Sequence, residues 1–215
     1  MKKQNKTKVV VFDFDGTLGD VIPIMREIYG DFARQKGYPE LTEDVYQKLR
    51  KGTLKEVLKW MGVRPWQIGG LLREGRSLFY IRSQEVQLFP GVAKLVKELH
   101  KEGWDIYILS SNSPKTIKEI LARNDIDELV NILKRPPLFG KASSIKALIR
   151  AKKYDKSRVW MVGDEVRDIE AANKTGIKSI AVAWGLQHEI AFAKADPTKV
   201  ALKVPELRKY LLEGE

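Results

Sequence analysis

Two aspartates with one residue between them, Asp13 and Asp15, follow the apolar run Val9 to Phe12 and precede Gly16. A continuous run of β-branched and aromatic residues is typical of a strand that is buried on both faces. Alternate residues of a strand point to the same side, so the two carboxylates leave the strand together. Buried carboxylates repel each other unless a cation lies between them, and Mg²⁺ prefers oxygen ligands. The pair therefore predicts a magnesium site, although an Asp-Gly turn beside an edge strand uses the same residue types.

Further polar clusters follow the other predicted strands. They are Ser110, Ser111 and Asn112 after strand 105–109, Lys141 at the start of a helix, and Asp164, Glu165 and Asp168 after strand 158–162. The carboxyl ends of parallel strands lie at one edge of a sheet, where ligands bind. Asp168 is four residues after Asp164, so a helix keeps the two on one face. This common placement favours a metal site over a simple turn.

The order of the predicted elements indicates the fold class. After Phe89 strand and helix patterns alternate, which predicts a doubly wound, Rossmann-like parallel sheet with helices on both faces. Residues 20–86 carry helix signals without a strand of note, including a capping-box pattern at Thr53 and Glu56. We therefore expect an α/β core of residues 1–19 and 87–215 that carries an inserted all-helical domain, residues 20–86.

Composition excludes several kinds of site. The chain has no cysteine, so it has no disulfide, thiol nucleophile or thiolate metal site, and its two histidines argue against a zinc centre. No apolar run approaches the roughly 20 residues that span a bilayer. The polar N-terminus leads into a strand rather than into the apolar part of a signal peptide. These features predict a cytoplasmic protein that does not bind a membrane.

The net charge of +11 has two interpretations. Strong positive charge suits nucleic acid or another anionic surface. However, Lys and Arg are spread along the chain, without an RNA-binding aromatic motif and without a basic block beyond the first eight residues. We therefore interpret the charge as the solvated surface of an enzyme that acts on small phosphorylated metabolites, and we do not expect nucleic acid binding.

The motifs DFDGT at 13–17, ILSS at 108–111, Lys141 and GDEVRD at 163–168 together resemble those of the haloacid dehalogenase superfamily of phosphohydrolases. The resemblance covers residues 9 to about 213, and the helical insert is similar to the cap of many members. It implies Mg²⁺-dependent hydrolysis of phosphate monoesters through an aspartyl-phosphate intermediate. True dehalogenases lack an acid two residues after the nucleophile, so the second aspartate of DFDGT argues against dehalogenation.

The resemblance also implies roles for the site residues. Asp13 would be the nucleophile and a metal ligand, and Asp15 would be the general acid and base with its carbonyl facing the metal. Asp164 would bind the metal, Asp168 would belong to the same metal site as a partner of its ligands, and Glu165 would be a helper. Lys141 would neutralise the phosphoryl oxygens and Ser110 would donate a hydrogen bond to one of them. Ser111 and Asn112 would assist in substrate binding, or would form an ordinary polar loop.

Two stretches bear on the substrate. DGTLGDVIP at 15–23 resembles phosphoglycolate phosphatase-like members, although Gly19 and Val21 depart from their pattern. RKGTLKEVL at 50–58 is similar to a substrate loop of β-phosphoglucomutases, in which Lys51, Gly52 and Lys55 would contact a substrate anion. A capped surface helix with solvated lysines is the favoured explanation of these residues, because exposed lysines are common on helices.

Four functions are compatible with this set of residues. A phosphatase of phosphoglycolate or a sugar phosphate is favoured. A phosphosugar mutase comes second, because the mutases have a histidine where this chain has Met25. A nucleotide or nucleic-acid 3′-phosphatase would give the positive charge a purpose, and a non-enzymatic basic interaction module would not need the catalytic residues. The sequence leaves a monomer and a homodimer equally open.

Overall fold

In the computed structural model, which describes residues 6–134 and 140–214, six parallel strands form one sheet and two short strands form a separate ribbon. The strands are β1 (Val9–Phe12), β2 (Gly19–Asp20), β3 (Gln87–Leu88), β4 (Asp105–Ile108), β5 (Asn131–Ile132), β6 (Val159–Gly163), β7 (Lys178–Val182) and β8 (Lys199–Ala201). The helices are α1 (Ile22–Lys36), α2 (Glu43–Leu49), α3 (Leu54–Trp60), α4 (Ile68–Arg82), α5 (Val92–Lys101), α6 (Pro114–Ala122), α7 (Lys141–Lys152), α8 (Val166–Thr175) and α9 (Val204–Leu212).

The main sheet has the strand order β5-β4-β1-β6-β7-β8, with β1 in the centre. β1 pairs in parallel with β4 on one side and with β6 on the other. The chain builds one half of the sheet and then returns across β1 to build the other half. A crevice for a ligand lies at such a switch point, at the carboxyl ends of the strands. The predicted class, a doubly wound parallel α/β sheet, is confirmed.

The core has a layer on each face of the sheet because successive strand residues point to opposite faces. Val10 and Phe12 of β1 pack in a cluster with α5 residues such as Leu95. Val9 and Val11 pack in a second cluster with α7 residues such as Ile145. Full burial of a side chain of this size contributes about 1.5–3 kcal/mol, so β1 is a firm base for the residues that follow it.

The inserted segment is helical, as predicted, but its boundary holds a short ribbon that the sequence did not indicate. β2 and β3 pair antiparallel, with Gly19 opposite Leu88 and Asp20 opposite Gln87. The expectation of no strand within residues 20–86 is therefore wrong at Asp20. Two-residue strands are too short to produce a periodic pattern. They form here because the chain entering the insert and the chain leaving it lie side by side.

Local helix signals in the insert were more reliable. Thr53 and Glu56 form the predicted capping box at the start of α3. Pro65 opens a short 3₁₀ helix, Pro65–Gln67, and α4 follows it. In the part of the chain that the structure describes, no helix combines the length and the apolar character that a membrane span requires.

Candidate active site

The loop after β1 brings Asp13 to the carboxyl edge of the sheet and holds its carboxylate. The Asp13 carboxylate accepts a hydrogen bond of 2.8 Å from the amide of Phe14, and the side chain is 3 % exposed. Gly16 has φ of +79°, and a Cβ added there would lie 2.1 Å from Asp164 Oδ2. A residue with a side chain therefore cannot replace Gly16 without moving Asp164.

Lys141 is the cation at the centre of the site. Its Nζ atom lies 2.7 Å from Asp13 Oδ2 and 2.6 Å from Asp168 Oδ1, and all three side chains are buried. Burial lowers the pKa of Lys141, but the attraction of Asp13 and Asp168 outweighs it and holds that pKa above its ordinary value. The ammonium group therefore stays charged at neutral pH.

Asp164 projects from the end of β6 into the same cluster. Its Oδ1 accepts from the hydroxyl of Thr17 at 2.9 Å, and its Oδ2 accepts from the amide of Leu186 at 2.7 Å. Burial raises its pKa well above the ordinary value, and repulsion from Glu165, Asp13 and Asp168 adds to the effect. One lysine thus faces more than one buried carboxylate.

The carboxylates fit a divalent cation. Each of Asp13, Asp164 and Asp168 offers an oxygen atom within 4.8 Å of the others. A set of oxygen donors with surplus negative charge in a buried place is the chemistry that Mg²⁺ requires. The Asp168 carboxylate also accepts two hydrogen bonds, one from Lys141 and one, at 3.3 Å, from the amide of Glu165.

Asp15 is held by hydrogen bonds from the loop after β4. Ser110 Oγ and Asn112 Nδ2 each donate to its carboxylate at 3.0 Å, and the amide of Asn112 donates to Ser110 Oγ at 2.9 Å. Burial, and to a lesser extent the charge of Asp13, raises the pKa of Asp15 to about 6. The hydrogen bonds from Asn112 and Ser110 lower that pKa and offset part of the rise. Ser111 is half-buried on the same loop. In this conformation the Ser110 hydroxyl donates its hydrogen bond to the Asp15 carboxylate.

The predicted residues of the insert lie on the loop between α2 and α3. Lys51 and Lys55 have exposed side chains, and the carbonyl of Gly52 accepts from Gln187 Nε2. Within residues 6–134 and 140–214, neither lysine forms an ion pair with the carboxylates. The structure therefore brings this loop against the segment after β7 and does not bring its lysines to the carboxylates.

Several contacts of the site were not predicted from the sequence. Thr17 and the Leu186 amide hold Asp164, and Arg167 pairs with Glu165 at the edge of the site. Thr17 lies within the first motif, so its hydroxyl could have been singled out. A backbone amide such as that of Leu186 has no residue signature, because every residue except proline carries one.

Comparisons with known proteins place the chain in a family. The family model described as haloacid dehalogenase-like hydrolase matches residues 10–182, which include the carboxylate cluster and Lys141. The chain belongs to the haloacid dehalogenase-like hydrolases. With phosphatases among its relatives, this haloacid dehalogenase-like protein is a hydrolase of phosphate esters.

The relatives of this hydrolase cover nearly its whole length. A phosphoglycolate phosphatase of Synechococcus elongatus is 32% identical over 191 residues, 88% of this chain and 90% of the relative. A phosphoglycolate phosphatase of Vibrio vulnificus is 26% identical over 97% of this chain and 98% of the relative. Among solved structures, a haloacid dehalogenase-like hydrolase of Streptococcus pneumoniae superimposes with a TM-score of 0.78 at 22% identity, covering 95% and 98% of the two chains. That likeness concerns the fold.

Proposed function

We propose that the protein is a Mg²⁺-dependent phosphatase that hydrolyses small phosphate monoesters through an aspartyl-phosphate intermediate. The observation that carries the proposal is the buried Asp13 carboxylate, held 2.7 Å from Lys141 and grouped with Asp164. Similarity to phosphoglycolate phosphatases makes 2-phosphoglycolate the first candidate substrate, with sugar phosphates next. Helices α1–α4 would act as a cap that excludes water from a small substrate.

The first step uses the two aspartates of the first loop. An Asp13 oxygen attacks phosphorus in line, the new bond from Asp13 oxygen to phosphorus forms, and the ester bond to the leaving oxygen breaks. Asp15 transfers its proton to that leaving oxygen. Lys141 neutralises the charge that accumulates on the phosphoryl oxygens and on Asp13. When bound at the carboxylates, Mg²⁺ would supply further charge neutralisation.

The second step regenerates the enzyme. Asp15, now ionised, takes a proton from water, whose oxygen attacks phosphorus while the bond to Asp13 breaks and inorganic phosphate is released. A pKa of about 6 suits a residue that must alternate between acid and base near neutral pH. Ser110 and Asn112 keep the carboxyl of Asp15 oriented between the two steps.

Asp15→Asn tests the acid role. An amide cannot protonate a leaving group, so we expect kcat for an alkyl phosphate such as 2-phosphoglycolate to fall by about 10²–10⁴-fold. The fall in the first step should be much smaller for p-nitrophenyl phosphate, because nitrophenolate leaves without a proton. Burst-phase release of nitrophenolate measures that step separately from the hydrolysis of the intermediate. Equal losses for both substrates in the first step would contradict the role of Asp15.

Mg²⁺ should stabilise the folded protein by relieving repulsion among the buried carboxylates. At 100 times its Kd the stabilisation is about 2.7 kcal/mol, which raises the Tm of a chain of this size by about 5–10 °C. Asp164→Asn should abolish most of this rise. Because burial raises the pKa of Asp164, ionisation of its carboxyl lowers the free energy of unfolding as pH rises. Without metal, Asp164→Asn should therefore have a higher Tm than the wild type at pH 8. Thermal melts with Mg²⁺ or EDTA measure both effects.

A panel of phosphorylated metabolites with Mg²⁺ tests the proposed function as a whole. Phosphate release from 2-phosphoglycolate, sugar phosphates and nucleotides is compared between the wild type and Asp13→Asn, which serves as the blank. A substrate that the wild type alone hydrolyses supports the proposal. Absence of turnover above the blank contradicts it, and isomerisation of a hexose phosphate without phosphate release would indicate the mutase instead.

A further inference from the structure

Arg50, at the C-terminal end of α2, binds the backbone of the segment that follows β7. Its Nη2 donates to the carbonyls of Ala183 and Gly185 at 3.2 and 3.0 Å, and its Nε donates to the carbonyl of Leu186 at 3.3 Å. In return, the amide of His188 donates to the Arg50 carbonyl at 2.8 Å. The helical insert is thereby bonded to this segment in both directions.

Gln187 makes a second bridge from the same segment. Its Nε2 donates to the carbonyl of Gly52 on the insert, and its Oε1 accepts from the amide of Val166 at 2.5 Å. Val166 is the first residue of α8, the helix that carries Asp168. The segment 183–188 therefore touches the insert on one side and the elements of the active site on the other.

The opposite side of this segment orients Asp164. The amide of Leu186 donates to Asp164 Oδ2, one residue after Gly185. A Cβ on Gly185 would lie 2.3 Å from the carbonyl oxygen of Gly16 and 2.4 Å from Asp164 Oδ2. The backbone at Gly185 therefore lies so close to the carboxylate that no side chain fits between them.

The guanidinium of Arg50 is engaged by uncharged acceptors. Its bonds go to three backbone carbonyls and, at 3.4 Å, to the amide oxygen of Gln47, while its Cζ lies 5.8 Å from the centre of the Tyr46 ring. A planar fork of donors can reach several carbonyls at once, which a lysine ammonium cannot do in the same geometry. Its contacts are those of an anchor to the backbone.

We propose that Arg50 is a positioning residue that couples docking of the helical insert to the orientation of Asp164. It holds segment 183–188 in the place from which the Leu186 amide binds the carboxylate. Coupling is reciprocal, so a cation bound at Asp164 favours the docked insert as much as docking favours the cation. The proposal rests on the proposed function in one respect, that Asp164 is a ligand of Mg²⁺.

The test compares Arg50→Ala and Arg50→Lys with Lys48→Ala, which removes the same charge from an exposed position on α2. Isothermal titration calorimetry gives the affinity for Mg²⁺, and hydrogen exchange reports the amides of Leu186 and His188. We expect Arg50→Ala to bind Mg²⁺ about 10-fold more weakly, as when partners of a metal ligand are lost, and to exchange both amides faster. Arg50→Lys should resemble Arg50→Ala, and Lys48→Ala should resemble the wild type.

Two results separate this inference from the proposed function. If Arg50→Ala matches Lys48→Ala in Mg²⁺ affinity and in exchange at Leu186, the coupling is wrong even though the wild type binds Mg²⁺. If the wild type binds no Mg²⁺, the proposed metal dependence is wrong, and faster exchange at Leu186 in Arg50→Ala still supports the positioning role. Steady-state kinetics adds a further check, because loss of Asp164 orientation should lower kcat more than it raises KM.

Discussion

Asp13→Asn is expected to reduce phosphatase turnover by about 10⁴-fold or more, since removal of a nucleophile in other enzymes costs up to about 10⁶-fold. A carboxamide oxygen is a poor nucleophile, and it also cannot supply the negative charge that pairs with Lys141 at 2.7 Å. Release of inorganic phosphate from 2-phosphoglycolate under saturating Mg²⁺ measures the loss. Mass spectrometry after rapid acid quench should show an 80 Da phosphoryl adduct in the wild type and none in the variant.

The matched control for this substitution is Asp44→Asn, which changes an exposed aspartate at the start of α2. Surface substitutions away from special features usually change stability by less than about 0.5 kcal/mol, so this control should stay folded. It should therefore retain wild-type kcat. Circular dichroism should show the same helix content in both variants. Turnover by folded Asp13→Asn within 10-fold of the wild type would rule out an aspartyl-phosphate at this position.

Lys141→Met is expected to have the largest effect on stability. It removes the ammonium group that lies between Asp13 and Asp168 and leaves buried carboxylates without that cation. Breaking a buried ion pair by removing one partner costs about 3–5 kcal/mol. Chemical denaturation at pH 7.5 without metal measures the loss. Lys146→Met, on the exposed face of the same helix, should change the free energy of unfolding by less than about 0.5 kcal/mol.

The loss in Lys141→Met should depend on pH in a defined direction. Burial raises the pKa of Asp168 above its ordinary value and Lys141 restrains that rise, so the pKa should rise further in the variant. A carboxyl with a raised folded-state pKa loses stability as pH climbs from its unfolded value of about 4 through the folded value. The variant should therefore be closest to the wild type at pH 5 and furthest from it at pH 8. A deficit independent of pH would mean that lost packing, and not charge, is the cause.

The main elements of the fold were predictable because local patterns and tertiary packing agree. The apolar run of β1 and the alternation after Phe89 indicate a parallel sheet, and the strand order of the structure confirms it. The capping box of Thr53 and Glu56 likewise acts within four residues, so nearby residues suffice to specify it. The β2–β3 ribbon was not predictable, because two residues in each strand carry no periodicity.

In the candidate site, the charged residues could be predicted from the sequence but most of their hydrogen-bond partners could not. Asp13, Lys141 and Asp164 could be selected beforehand because parallel strands deliver whatever follows them to one edge. Their hydrogen-bond partners could not be selected so fully. Asn112 is an ordinary loop residue until its amide group meets Asp15, and the Ser110 hydroxyl was expected to face a phosphoryl group, whereas it donates to Asp15.

The pattern of residue types alone therefore specifies the fold class, the helical nature of the insert and the set of charged groups at the carboxyl edge. How those groups are held and how the insert contacts them follows only from the folded arrangement of the chain. Arg50 reaches the carbonyls of Ala183 and Gly185 from more than 130 positions away, and Leu186 holds Asp164 through its amide. Backbone groups are the same at nearly every residue, so these contacts leave no mark on residue type and exist only once the chain has folded.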